Sequence, residues 1–193
     1  MKTARTHLTN SRFWMLGGLI VAAAAVRLIP PPPNITPVGA LALLAGATLG
    51  SRVLAMLVPL TAMLLSDIGI GQLYGSGFGW HRSQLFVYGA FVLIALLGRL
   101  LQHDRRNPVR IVAASLTASA LFFVVTNFGV WLMSGMYSLT PAELIRCYVQ
   151  AIPFFGNTVV GDLAFSTLFF GGLAFVETFV EERDPAPALR DET

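Results

Sequence analysis

Charged residues are scarce in this chain of 193 residues. They make up 12% of the sequence, whereas hydrophobic residues make up 55%. Soluble domains carry about twice that share of charge. The composition therefore excludes an ordinary water-soluble globule and indicates a protein embedded in a lipid bilayer.

Residues that commonly carry chemistry are also few. Cysteine occurs once, at Cys147, which excludes an intrachain disulfide and a metal site built from several cysteines. The histidines, His7, His81 and His103, are too dispersed for a metal site. No glycine-rich phosphate loop with its lysine occurs, so the chain is not expected to hydrolyse ATP itself. We expect no catalytic residue, no metal ion and no cofactor.

An intramembrane aspartyl protease would use two aspartates within the membrane, and Asp67 and Asp162 lie in apolar segments. The surrounding residues depart from that enzyme's motifs. The first glycine of Gly-x-Gly-Asp is missing before Asp162, and Ser66 rather than a tyrosine precedes Asp67. We therefore do not expect an enzyme.

Six apolar segments are candidates for membrane-spanning helices, each of which needs about 20 apolar residues. The second segment is the shortest, and its length as a helix is only about 20 Å. It is either extended by the preceding residues, Asn34–Pro37, or it is a half-helix lining a cavity. We expect an all-α, polytopic bundle of six transmembrane helices. The segments are Phe13–Ile29, Val38–Gly50, Val53–Ile70, Ser83–Leu101, Ile111–Leu132 and Phe154–Val176.

A single transmembrane domain, residues 13–177, is expected between a cytoplasmic N-terminal segment, residues 1–12, and a disordered cytoplasmic tail, residues 178–193. The orientation follows from the enrichment of Lys and Arg at cytoplasmic helix ends. We therefore attribute the net charge of +3 to basic residues that set the orientation of the protein in the membrane, and not to nucleic-acid binding. With the N-terminus inside, the outer side carries only three of the thirteen basic residues, Arg27, Arg82 and Arg146.

The N-terminus allows a second interpretation. Basic residues, an apolar stretch and the small residues Ala22–Ala25 imitate a cleavable secretory signal peptide. Arg27 and the proline run Pro30–Pro33 look instead like a helix end at an outer surface, and we favour a retained span. The proline run predicts a stiff loop, or alternatively a gate over a pocket.

A helix start is predicted between the last two spans. Thr140 suits the N-cap, Pro141 suits the first turn, and Glu143 completes a capping box. We expect this helix to lie along the outer surface and to end at Pro153, where the last span turns inward.

Polar residues within the spans concentrate in the half of the bundle that this orientation places outside. A lone ionised carboxylate in hydrocarbon is costly, so Asp67 and Asp162 are expected to face a partner, a cavity or a ligand. Polar residues also recur every four positions on the fifth and sixth spans, and these stripes are expected to face each other. The stripe on the fifth span is Ser115, Ser119 and Asn127, with the apolar Phe123 at the intervening position, and the stripe on the sixth span is Thr158, Asp162 and Ser166.

We interpret these polar residues as a solute-binding pocket open to the outer face. Acids and amides would exchange hydrogen bonds with the solute, Arg27 would balance charge, and aromatic residues would stack on the solute or cover it. Alternatively, the stripes are internal packing and Arg27 only neutralises an aspartate. The predicted pocket residues are Arg27, Asn34, Asp67, Trp80, His81, Asn127, Trp131, Asn157 and Asp162.

Small residues at four-residue spacing mark the first and second spans, and this spacing lets helix backbones approach closely. The pattern indicates either internal packing or a docking surface for another membrane protein. The predicted docking residues are Gly18, Ala22, Gly46 and Gly50.

Four segments of the chain resemble an uncharacterised bacterial family of membrane proteins that is similar in fold to the S components of energy-coupling-factor vitamin transporters. The segments are Asn34–Ala40, Pro59–Asp67, Thr126–Trp131 and Asn157–Asp162. The resemblance implies a protein of the bacterial inner membrane that captures a vitamin-like solute from the outer side. Uptake would then be driven by a separate transmembrane coupling subunit and its ATPases.

S components usually dock through Ala-x-x-x-Ala on the first helix. The nearest equivalent here is Gly18 to Ala22, and Val26 breaks the next repeat. Transport without an ATPase module is therefore an alternative. A hypothesis from another class is a non-catalytic accessory subunit of a larger membrane complex.

Overall fold

The computed structural model describes residues 17–29, 34–75 and 80–183. The predicted N-terminal segment 1–12, the proline run Pro30–Pro33 and residues 184–193 of the predicted tail lie outside the described residues. Within the described ranges the regular elements are all helical. The six α-helices are α1 Gly17–Leu28, α2 Val38–Thr48, α3 Arg52–Tyr74, α4 Gln84–Gly98, α5 Pro108–Met133 and α6 Pro141–Arg183, and a 3-10 turn, Arg99–Leu101, extends α4.

Four of these helices, α3, α4 with its 3-10 turn, α5 and α6, are long and apolar enough to cross a membrane. Only 17% of the most apolar stretch of α5 is buried inside the molecule. Large apolar side chains such as Leu85 and Phe175 instead point outward and are more than two thirds exposed. A helix that is apolar all round needs a protein or lipid environment on every side. The expected all-helical fold is confirmed, and its apolar helices are compatible with the expected membrane protein.

Helix α2 lies at the centre of the bundle, where it contacts α3, α4, α5 and α6. Ten of its eleven residues are buried. Its length is about 16 Å, roughly half the hydrocarbon thickness of a bilayer. Asn34 in the preceding link has a positive φ of 68°, a conformation that asparagine tolerates better than most residues. The second apolar segment was expected to be either a helix extended by Asn34–Pro37 or a half-helix. Helix α2 begins at Val38 and is the half-helix.

Glycines allow α2 to touch the backbone of α4. A Cβ atom on Gly46 would lie 2.0 Å from the carbonyl oxygen of Ala95, and one on Gly98 would lie 2.3 Å from that of Leu43. Gly46 is therefore part of an internal helix contact and does not lie on a free surface.

Polar contacts close the end of the bundle where the α2–α3 and α4–α5 connections meet. The amide of Gln102 donates to the carbonyl oxygen of Leu49 at 3.0 Å. Arg105 and Arg106 form ion pairs of 2.9 and 3.1 Å with Glu177 on α6. These contacts hold α4, α5 and α6 together at this end.

The predicted start of α6 is confirmed, because the helix begins at Pro141 and Thr140 Oγ1 accepts a hydrogen bond from the backbone N–H of Glu143. The predicted end at Pro153 is wrong: one helix runs from Pro141 to Arg183. Proline removes only one hydrogen bond of the helical ladder, whereas leaving the helix in an apolar environment would strand several backbone groups. The helix reaches six residues into the segment expected to be a disordered tail.

We predict that Gly98→Ala destabilises the folded protein by about 1–3 kcal/mol, because the new methyl group must push the α2 backbone away. Thermal unfolding in detergent, read by circular dichroism, measures the change. Gly50→Ala is the matched control, since a Cβ at Gly50 meets nothing within 4 Å. Equal unfolding temperatures for the two variants would contradict the close α2–α4 contact.

Candidate functional site

A cavity of about 360 Å³ lies beside the N-terminal end of α2. Its size falls within the range of about 300–1,000 Å³ found for small-molecule sites. It lies where α2 stops short and the link of residues 34–37 replaces a helix. The lining residues are Arg27, Asn34, Thr36, Gly39, Met63, Ile70, His81, Val87, Phe91, Ile94, Phe122, Thr158 and Asp162.

Asp67 is buried next to this cavity and is held by three side chains from two other helices. Arg27 Nη1 on α1 lies 2.9 Å from Asp67 Oδ1. From α4, the amide of Gln84 and the hydroxyl of Tyr88 donate to Asp67 Oδ2, the hydroxyl at 2.8 Å. Asp67 is 2% exposed and is not among the lining residues. Its charge is therefore compensated within the protein.

Ser66 completes this polar cluster. Its hydroxyl is hydrogen-bonded to Arg27 Nη1, and it donates to the carbonyl oxygens of Ala62 and Met63 in the preceding turn of α3. Arg27 is thereby fixed between Ser66 and Asp67 while still lining the cavity. Five side chains from three helices thus tie α1 to α3 and α4.

Asp162 has different surroundings. It lies on α6, is 5% exposed, and its Oδ2 accepts a hydrogen bond of 2.7 Å from Ser119 on α5. Four residues further along α6, the Ser166 hydroxyl lies 3.3 Å from that of Ser115. The prediction that the polar stripes of the fifth and sixth spans face each other is confirmed at these two positions.

Two glycines let the α2 segment approach Asp162. A Cβ atom on Gly39, in the first turn of α2, would lie 2.3 Å from Asp162 Oδ1. A Cβ atom on Gly161 would lie 3.2 Å from the Cα atom of Ile35. The carboxylate thus lies near the N-terminal end of a buried helix, where the helix dipole favours negative charge.

The rest of the cavity wall is largely apolar. Phe91 and Phe122 pack with their ring centroids 5.2 Å apart, and Ile94 beside them is fully buried. Polar groups come from Asn34 and His81, in the two connections at this end, and from Thr36, Thr158 and Asp162. The cavity can therefore contact both an apolar body and a few hydrogen-bonding groups.

The structure brings together some of the predicted pocket residues. Arg27, Asn34, His81 and Asp162 line the cavity, and Asp67 lies behind Arg27. The remaining four do not line it. Trp80 is 52% exposed, Asn127 donates to the carbonyl oxygen of Phe123, Trp131 donates to that of Ser138, and Asn157 is partly buried on α6.

Gln84 and Tyr88 were not predicted as site residues, although both bind Asp67. The sequence contained a pattern that could have identified them. They are polar residues four positions apart in an apolar helix, and the same spacing placed Thr158 and Asp162 on one face. Thr36 and Gly39 carry no such signal, since their position depends on the buried link before α2.

The predicted docking residues are also separated by the fold. Gly18 and Ala22 are exposed on α1, and Gly50 is exposed in the α2–α3 connection, whereas Gly46 is buried. The opposite side of α1 is packed, with Ala23 buried against residues of α2 and α3. Gly18 and Ala22 therefore form an exposed face of small residues on α1.

The arrangement offers no obvious metal centre in the part of the chain that is described. Within residues 17–29, 34–75 and 80–183, no group of three or more His, Cys, Asp and Glu side chains is placed to hold a metal ion.

The chain is an all-α bundle with a partly polar cavity, and four of its described helices are long and apolar enough to cross a membrane. The chain belongs to the family described as "Family of unknown function (DUF6580)", whose model matches residues 7–186. No curated protein and no solved structure matches the chain significantly.

We predict that Asp67→Asn destabilises the protein by about 3 kcal/mol, because it leaves the largely buried Arg27 without its counter-charge. The double variant Arg27→Gln/Asp67→Asn should recover part of this loss. Glu143→Gln, which removes an exposed partner of Arg146, should change stability by less than about 1 kcal/mol. Thermal unfolding in detergent is measured for the wild type, for Arg27→Gln and Asp67→Asn alone, for the double variant and for Glu143→Gln. Additive effects of the two site substitutions would contradict the ion pair.

We also predict that Gly39→Ala destabilises the protein by about 1–3 kcal/mol through a clash with the Asp162 carboxylate. Shortening the acid in Gly39→Ala/Asp162→Ser should relieve the clash, so the double variant should be more stable than the sum of the single effects implies. A double-mutant cycle of unfolding temperatures measures this coupling. A coupling of zero would show that the two residues do not touch.

Proposed function

We propose that this chain is a non-catalytic, membrane-embedded binding protein for a small solute. The cavity is the observation that carries the proposal. Its volume suits a small molecule, and its wall combines an apolar surface with a cation, an anion, two threonines, an amide and an imidazole. Packing alone would not require this mixture of groups around an empty volume in a membrane bundle.

The distribution of charge supports an outward-facing cavity. Three basic residues lie at the end of the bundle opposite the cavity: Arg52 at the start of α3, Arg99 in the 3-10 turn after α4, and Arg105 in the α4–α5 connection. Cytoplasmic ends of membrane helices are enriched in such residues. With that end in the cytoplasm, Asn34 and His81 line the cavity from connections on the outer side.

Within this proposal, uptake of a vitamin-like solute in the manner of an S component of an energy-coupling-factor transporter is the specific form that we favour. The resemblance of four segments supports it, and so does the exposed small face of Gly18 and Ala22 on α1. Close approach of a coupling subunit's helix would need such a face. The protein would then reside in the bacterial inner membrane with both termini in the cytoplasm.

An accessory subunit of a larger membrane complex is the second candidate function. Helix α6 favours it, because its 43 residues extend about 65 Å, twice the hydrocarbon thickness of a bilayer. The extra turns offer a surface beyond the membrane that a partner protein could use.

Native mass spectrometry of gently extracted protein separates the two functions. A bound small molecule, with or without a coupling subunit and ATPases, supports the solute-binding function. Recovery only as a stoichiometric member of a larger complex, together with no stabilisation by any solute in a screen, would refute it and favour the accessory subunit.

Filling the cavity should abolish binding. We predict that Val87→Trp loses the co-purified solute, because the larger side chain projects from α4 into the cavity that Val87 lines. Leu85→Trp is the matched control on the same helix, since Leu85 is 75% exposed. Solute occupancy by mass spectrometry is the readout, and unchanged occupancy in Val87→Trp would contradict binding in this cavity.

A further inference from the structure

The two buried acids differ in how their charge is compensated. Asp67 forms an ion pair with Arg27, so these two opposite charges at the cavity balance each other. Asp162 lines the cavity and receives its hydrogen bond from Ser119, a neutral residue. Among the described residues no basic side chain forms an ion pair with Asp162. An ionised Asp162 is therefore favoured only by the dipole of α2 and by a neutral hydroxyl, and the cavity keeps a negative charge that no ion pair balances.

A buried carboxylate in a membrane protein needs a compensating partner, because removing its charge from water costs several kcal/mol. The partner can be a proton, an inorganic cation or a positively charged group of a solute. The cavity's volume corresponds to about a dozen waters, far more than a bare ion requires. Its aromatic residues, Phe91 and Phe122, would contact an organic body and also attract cations.

We infer that the cavity takes an organic solute that carries one positive charge on an apolar or aromatic body, with Asp162 as its counter-ion. This inference rests on the proposed solute-binding function and names its substrate class. Thr36 and Thr158 lie in the same wall and supply hydroxyl groups beside the charged position. Arg27 does not oppose a cation strongly, because Asp67 neutralises it at 2.9 Å.

The test is a binding screen with sets of related solutes that share an aromatic body and carry a positive, a neutral or a negative group. Suitable triplets are 1-methylnicotinamide, nicotinamide and nicotinate, and phenethylamine, phenethyl alcohol and phenylacetate. Each is added to the purified full-length protein, alongside native mass spectrometry of any co-purified solute. Thermal stabilisation and calorimetric titration are the readouts. We expect the cation of a triplet to bind at least about tenfold more tightly than its neutral form, as losing one partner of a buried charge pair is costly.

Asp162→Asn should abolish this preference for the cation, whereas Asp104→Asn should retain it. Asp104 is a suitable control because it pairs with Arg110 at an exposed position outside the cavity. The comparison of cationic, neutral and anionic solutes uses the wild-type protein. The inference can therefore be tested even if Asp162→Asn does not fold.

The outcomes separate the two proposals. A neutral or anionic solute that binds most tightly, or stabilisation by sodium or acid without any preference for organic cations, overturns the inference and leaves solute binding in place. No bound solute and no stabilisation by any member of the screen overturns the proposed function itself.

Discussion

The half-helix α2 sets the geometry on which the rest of the molecule depends. It is buried on all sides, yet it covers only about half the thickness of a bilayer. One half of the bundle is therefore filled by close contact between α2 and α4, where Gly46 and Gly98 bring the two backbones together. The other half lacks a helix at its centre, and the cavity lies there. The link before α2 supplies Asn34 and Thr36 to the wall. A longer α2 would remove the cavity.

Two buried carboxylates, Asp67 and Asp162, lie at or next to the cavity, and they differ in the partners that compensate their charge. Asp67 joins α1, α3 and α4 through Arg27, Gln84 and Tyr88 and so stabilises the bundle at the open end. Asp162 instead remains at the cavity surface with a serine as its described hydrogen-bond partner. An acid held in an ion pair contributes to the fold, whereas an acid without an ion-pair partner can bind a positively charged solute. This division of roles connects the fold to the function that we propose.

The sequence predicted the all-helical class with long apolar helices, the pairing of the stripes through Ser119 and Asp162, and the start of α6. These features depend on composition, four-residue spacing and local capping. It did not predict the continuity of α6 through Pro153, since a local helix breaker is outweighed by the cost of unpaired backbone groups in lipid. Asn127 and Trp131 are polar residues of the spans, but each bonds to a nearby backbone carbonyl and lies outside the cavity wall. Whether a polar side chain bonds locally or lines a cavity depends on packing between helices, which spacing alone does not specify.

An experimental structure of the protein with its co-purified solute tests the central claim most directly. We predict density for a small organic molecule in the cavity, with a positively charged group within hydrogen-bond distance of Asp162 and its body against Phe91 and Phe122. A cavity closed by the surrounding side chains, or filled only by a lipid chain entering from the side, would contradict the account.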